Sequence, residues 1–291
     1  MGNGEKRFGT GSAPGILLAF FVYSNFFIAF CAVLMTHQSF HFLLVRPADN
    51  YLLGFVFFST ICSYSFHWYL TGQSVIPSPR IEWLRRYRCI HAILFIVGLA
   101  GSVYYFFYIQ AYWPWLLVAV AATFLYSAPK IPHPYFRALR KVALGKTIFL
   151  AFVWMYVTTV LPIITSGVEW TTPFTLFVIS RFFLIYAICI LFDYRDREDD
   201  RSAGIKSLIT YMSEKGIAYL FIFSLLVFGL STLLLLPYGY EPLHIFFILL
   251  PGIITGALYT YSHKHYSDIF WYLVMDGLMA VSALLTMVAG V

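Results

Sequence analysis

The chain has 291 residues, 60% of them hydrophobic and 11% charged, with a mean hydropathy of +0.78. Soluble domains carry about 25% charged residues, so a soluble globule is excluded and a polytopic helical membrane protein is expected. The formal charge of +6 does not mark a nucleic-acid binder, because the basic residues sort by loop as a bilayer requires.

Residues 1–14 are Gly-rich and polar with Lys6 and Arg7, and read as a flexible cytoplasmic N-terminus. They lack the Ser or Thr of a myristoylation signal, and the apolar run that follows is too long for a cleaved signal peptide. The remainder, 15–291, reads as one transmembrane domain. Nine spans are expected at 15–36, 50–71, 89–109, 113–128, 146–166, 173–192, 217–236, 243–262 and 268–290. With the N-terminus inside, all but two of the nineteen lysines and arginines fall in cytoplasmic segments. The exceptions are Arg46 in an outer loop and Arg181 within a span. This is the positive-inside pattern, and it places the C-terminus outside. The long connections, 72–88, 129–145 and 193–216, are all cytoplasmic. Trp113, Trp115 and Trp170 near span ends suit interfacial belts. Cys31, Cys62, Cys89 and Cys189 lie in apolar segments without CxxC spacing and read as small core residues.

The densest polar stretch follows the sixth span and runs from Phe192 to Leu208. It packs five of the chain's thirteen acidic residues into eight positions. Asp193, Asp196 and Asp200 stand at i, i+3 and i+7, which is one face if the helix continues. Carboxylates aligned at a membrane surface repel one another unless a cation sits between them. A Mg2+ bridging carboxylate to phosphate is one occupant; the other reading is a solvated helix end neutralised by Arg195, Arg197, Arg201 and Lys206. A second feature, Tyr126-Ser127-Ala128-Pro129-Lys130, closes the fourth span. Lys130 suits a phosphate as a point charge, or serves as a positive-inside anchor after a proline helix stop.

Taken together, the span pattern, Tyr-x-x-x-Lys after the fourth span and Asp-x-x-Asp-x-x-x-Asp-x-x-x-Gly-x-Lys after the sixth resemble the UbiA superfamily of intramembrane prenyltransferases. The likeness runs over residues 15–290 and is strongest to the branch with chlorophyll synthase-like second motifs. It implies a ring of nine helices around a cavity open to lipid. It also implies catalytic, Mg2+-binding roles for Asp193, Asp196 and Asp200, a diphosphate grip by Lys130 and Lys206, and Tyr126 lining the site. The implied partners are an isoprenyl diphosphate, a lipophilic acceptor of aromatic type and membrane lipid; a bacterial member would sit in the inner membrane. The chemistry is physically coherent: cations stabilise the departing diphosphate, aromatic faces stabilise the allylic cation, and a dry cavity protects it from water.

One part of the family pattern is absent. A first acidic motif belongs at the cytoplasmic end of the second span, where the chain reads Ser59 to Thr71 with no carboxylate. Ser63, Ser65 and His67 are the polar groups there, and neutral hydroxyls and imidazole replace paired carboxylates around Mg2+ poorly. The alternative to a prenyltransferase is therefore a non-catalytic relative that binds an isoprenoid. Two charges lie inside spans: Arg181, about 12 Å from the outer end of the sixth, and Asp276, about 12 Å from the inner end of the ninth. Intramembrane charges face a cavity or each other, so the two are expected to pair, to line the pocket or to be solvated separately. Asn25 in the first span is a similar candidate.

Overall fold

The computed structural model describes residues 13–71, 78–128, 131, 133, 146–202 and 207–290. The N-terminal segment 1–12, Lys130 and Lys206 lie outside the described residues, and so do the roles assigned to them.

Every regular element among the described residues is helical. Helices α1 (Ala13–Tyr23) and α2 (Phe26–Gln38) replace the expected continuous first span. The break falls at Asn25, whose φ of 68° and ψ of 8° are left-handed; a short polar side chain tolerates this conformation far better than an apolar one. A π-helical turn, Ser39–Leu43, extends α2. Helix α3 (Asn50–Leu70) starts where Asp49 Oδ1 accepts the amides of Tyr51 at 2.8 Å and Leu52 at 3.3 Å, a side-chain cap on otherwise orphaned donors. The short α4 (Pro79–Arg86) is started by a Ser78 cap and a proline in its first turn.

Helices α5 (Arg88–Ile109) and α6 (Trp113–Ser127) are separated by a 3-10 turn, Gln110–Tyr112. Then come α7 (Lys146–Met155), a π turn Tyr156–Val160, and α8 (Leu161–Thr165). Helix α9 (Thr172–Arg195) ends at the acidic stretch, followed by α10 (Arg197–Ser202) and α11 (Leu208–Tyr211). Helices α12 (Glu214–Leu233), α13 (Pro242–Ala257) and α14 (Tyr259–Ser262) precede a π segment, Phe270–Met275, that runs into α15 (Asp276–Val288).

Six stretches among the described residues are long and apolar enough to cross a bilayer: Phe26–Leu43, Arg88–Ser127, Thr147–Thr165, Thr172–Arg195, Glu214–Tyr238 and Phe270–Val288. Pro14–Tyr23 and Pro242–Ala257 are apolar but shorter. Helix α3 has the length, but its Ser, Thr, Tyr and His content makes it too polar for the same class. The fold is thus an all-helical membrane protein with six candidate spans; the count of nine is not established.

Neighbour packing returns on itself: α2 contacts α3, α3 contacts α5, α6 contacts α7, α7 contacts α9, and the succession runs through α12, α13 and α15 back to α2. Within it, an 18-residue apolar window of α9 is 67% buried against 11% for one in Arg88–Ser127, so α9 is an inner wall and α5–α6 present their side chains outward. The α3–α5 contact is backbone to backbone: a Cβ on Gly98 would stand 2.6 Å from the Cys62 amide nitrogen and 2.9 Å from the Phe58 carbonyl. Small residues allow such close approach between membrane helices. Two expectations on cysteine fail in detail: Cys31 and Cys189 are buried, but Cys62 is only partly so and Cys89 is exposed.

Candidate active site at the end of α9 and the mouth of the helices

The three aspartates expected on one face meet different fates because α9 stops at Arg195. Asp193, in the last turn, is buried and accepts a short hydrogen bond from the Thr147 hydroxyl of α7. Asp196 follows the helix and is gripped by its own neighbour: Arg195 Nε reaches Oδ1 at 2.7 Å and Nη2 reaches Oδ2 at 3.2 Å. Asp200 is buried one turn on, its amide bonded to the Asp196 carbonyl at 2.9 Å. No three His, Cys, Asp or Glu side chains among the described residues are gathered closely enough to hold a metal by themselves. Mg2+, however, takes one or two carboxylates and completes its shell from substrate phosphate and water. Asp193 and Asp200 fit that lesser role; an all-protein seat is not formed among the described residues.

His67 and Tyr126, predicted from separate stretches, are brought together. Their rings stack at 5.0 Å and 14°, and His67 Nδ1 lies 3.5 Å from the Ser127 hydroxyl. Ser63 instead turns its hydroxyl onto the Thr60 carbonyl of its own helix at 3.3 Å. The expected Arg181–Asp276 pair does not form. Arg181 Nη2 donates to Gln38 Oε1 at 2.7 Å, and Gln38 is held in turn by Thr286 and Ser282. The reason is axial: Arg181 lies level with Ser282 and Thr286, which are about 9–15 Å along the helix from Asp276 at about 1.5 Å per residue.

What the sequence pattern passed over is Arg80. Its place among the cytoplasmic arginines marks it only as a topology anchor. In the structure it is 5% exposed, and its guanidinium packs against the rings of Trp68, at the end of α3, and Tyr272, each centroid 4.0 Å away, the two rings standing edge to face at 79°. Nη2 donates to Asn25 Oδ1 at 3.1 Å, and the Asn25 amide donates to Ser65 Oγ at 3.3 Å. The Arg80 backbone amide donates to Asp268 Oδ2 at 2.7 Å, which also accepts the Tyr23 hydroxyl at 3.0 Å. Burial lowers the guanidinium pKa, while Tyr272, Asp276, Asp268 and Tyr23 act to raise it; arginine stays charged in such surroundings. Arg195 approaches the same aromatic wall, 4.9 Å from the Trp271 centroid and 5.1 Å from that of Tyr272. The π segment Phe270–Met275 carries both rings and leads into Asp276; such segments re-aim side chains at functional sites. Asn25 was the one sequence signal that could have led to Arg80, as a polar residue inside an apolar run.

Buried carboxylates, the buried Arg80 and the half-buried Arg195 thus meet an aromatic wall at one end of an all-helical membrane bundle. Residues 70–275 match the UbiA prenyltransferase family. The chain belongs to that family. No curated protein and no solved structure matches it.

Proposed function

We propose that the protein is a prenyltransferase that moves an isoprenyl group from its diphosphate to a lipophilic, aromatic acceptor at the cytoplasmic face of a membrane. Nine spans, with the N-terminus inside and the C-terminus outside, belong to the same proposal. One observation carries it: the family match includes the Asp193, Asp196 and Asp200 stretch, and this stretch sits beside two arginines and an aromatic wall. Asp193 and Asp200 would hold a Mg2+ that arrives with the diphosphate and supplies charge to the leaving group. Lys130 and Lys206 would add point charges, and Tyr126 with His67 would line the acceptor side.

The test is release of diphosphate from an isoprenyl diphosphate by purified protein in Mg2+. Asp193→Ala or Asp200→Ala is expected to abolish it, and unchanged turnover in both variants rules the assignment out. A second reading, a non-catalytic isoprenoid binder, is favoured by the bidentate Arg195–Asp196 pair, which occupies an expected catalytic carboxylate. A co-purifying prenyl lipid, with no turnover across a panel of aromatic acceptors, would select it.

A further inference from the structure

We infer that Arg80 takes the place of a metal ion: its guanidinium is the fixed cation that receives the substrate diphosphate at the end of α3. The inference rests on the prenyl diphosphate reading above and departs from it in assigning part of the grip to the protein's own cation.

The position is the first argument. Trp68, which Arg80 stacks on at 4.0 Å, belongs to the Ser59–Thr71 stretch where paired carboxylates would otherwise seat a metal, and that stretch has none. A Mg2+ neutralised by two carboxylates contributes no net charge to its surroundings, whereas a guanidinium without a paired carboxylate contributes one positive charge. Exchanging acids plus metal for one arginine thus keeps the site attractive to an anion.

The second argument is how Arg80 is held. Trp68 and Tyr272, edge to face with each other at 79°, both lie against the guanidinium, and among the described residues one of its five N–H bonds reaches an acceptor, Asn25 Oδ1 at 3.1 Å. Nε and Nη1 form no hydrogen bond among the described residues and neither is fully sealed from solvent, and a planar fork binds phosphate oxygens through such N–H groups. The carboxylates it feels, Asp268 and Asp276, make no ion pair with it: Asp268 is engaged by the Arg80 backbone amide and the Tyr23 hydroxyl. A guanidinium that served only to pin α4 would be paired with a carboxylate. The third argument is strain: Asn25 is fully buried at φ 68°, and a left-handed residue kept at that depth points to a required geometry. Here that geometry aims Oδ1 at Arg80. Arg195 also approaches the Tyr272 ring, at 5.1 Å, its Asp196 pair already meeting two of its N–H groups.

The test is calorimetric binding of inorganic diphosphate to the full-length protein in detergent, with EDTA and then with Mg2+, for wild type, Arg80→Gln and Arg80→Lys. Wild type is expected to bind in EDTA. Arg80→Gln should weaken binding at least about tenfold, and Arg80→Lys by less, since the charge remains and the fork is lost. Mg2+ should strengthen binding more in Arg80→Gln than in wild type, a shift that a merely structural role would not produce. If Arg80→Gln does not elute as a folded species, Arg80→Lys carries the comparison. Binding by wild type only when Mg2+ is present, or equal affinity in all three proteins, overturns the inference and leaves the prenyltransferase reading standing. Failure of both diphosphate and farnesyl diphosphate to bind wild type even with Mg2+ overturns both.

Discussion

Replacing Asn25 tests the strained corner between α1 and α2 and its hold on Arg80. Asn25 is fully buried, left-handed, and accepts from Arg80 at 3.1 Å while donating to Ser65 at 3.3 Å. Asn25→Ala should lose two things. Alanine in the left-handed region costs about 1 kcal/mol more than asparagine or glycine, and the hydrogen bonds, one of them to a charge, are worth about 1–2 kcal/mol within a membrane. The sum is about 2–3 kcal/mol. Asn25→Gly keeps the backbone at ease and loses only the hydrogen bonds, so it should cost about 1–2 kcal/mol. Unfolding of purified protein in mixed micelles, followed by tryptophan fluorescence, measures both. If the two variants are equally stable, the conformational argument is wrong. If neither weakens diphosphate binding, Asn25 does not orient Arg80.

Three further outcomes follow from the packing. Gly98→Ala should destabilise by about 1–3 kcal/mol, because its Cβ meets Cys62 and Phe58 backbone atoms; an unchanged melting temperature would refute the close α3–α5 approach. A double-mutant cycle on Arg181 and Gln38 should show coupling of about 1 kcal/mol, while Arg181 and Asp276 should be additive. Thr147→Val removes the hydroxyl that donates to Asp193 and should slow diphosphate release by about tenfold, since a lost charge-assisted bond is worth about 1.5–3 kcal/mol; an unchanged rate would place Asp193 outside the working site.

The family pattern in the second acidic stretch was readable because it is local: its spacing survives in sequence whatever the helices do. Membrane residence was readable for a similar reason, since hydrophobic length and the loop sorting of lysine and arginine are additive properties of short segments. The positions of His67 and Tyr126 were each visible as helix-end residues, although only the approach of α3 to α6 made them neighbours.

What residue order alone determined is that this chain must lie in a bilayer as helices and carry an acidic cluster after α9. The tertiary structure decided which charges meet. Arg181 found Gln38 rather than Asp276 because axial level, not charge, selects partners among parallel cylinders. Asp196 found Arg195 because α9 ends between them. Arg80 became a buried cation because a break at Asn25, a π segment bearing Tyr272 and the end of α3 bearing Trp68 converge on it. Those three elements are separated by most of the chain, and no spacing rule joins residues whose meeting depends on how helices pack.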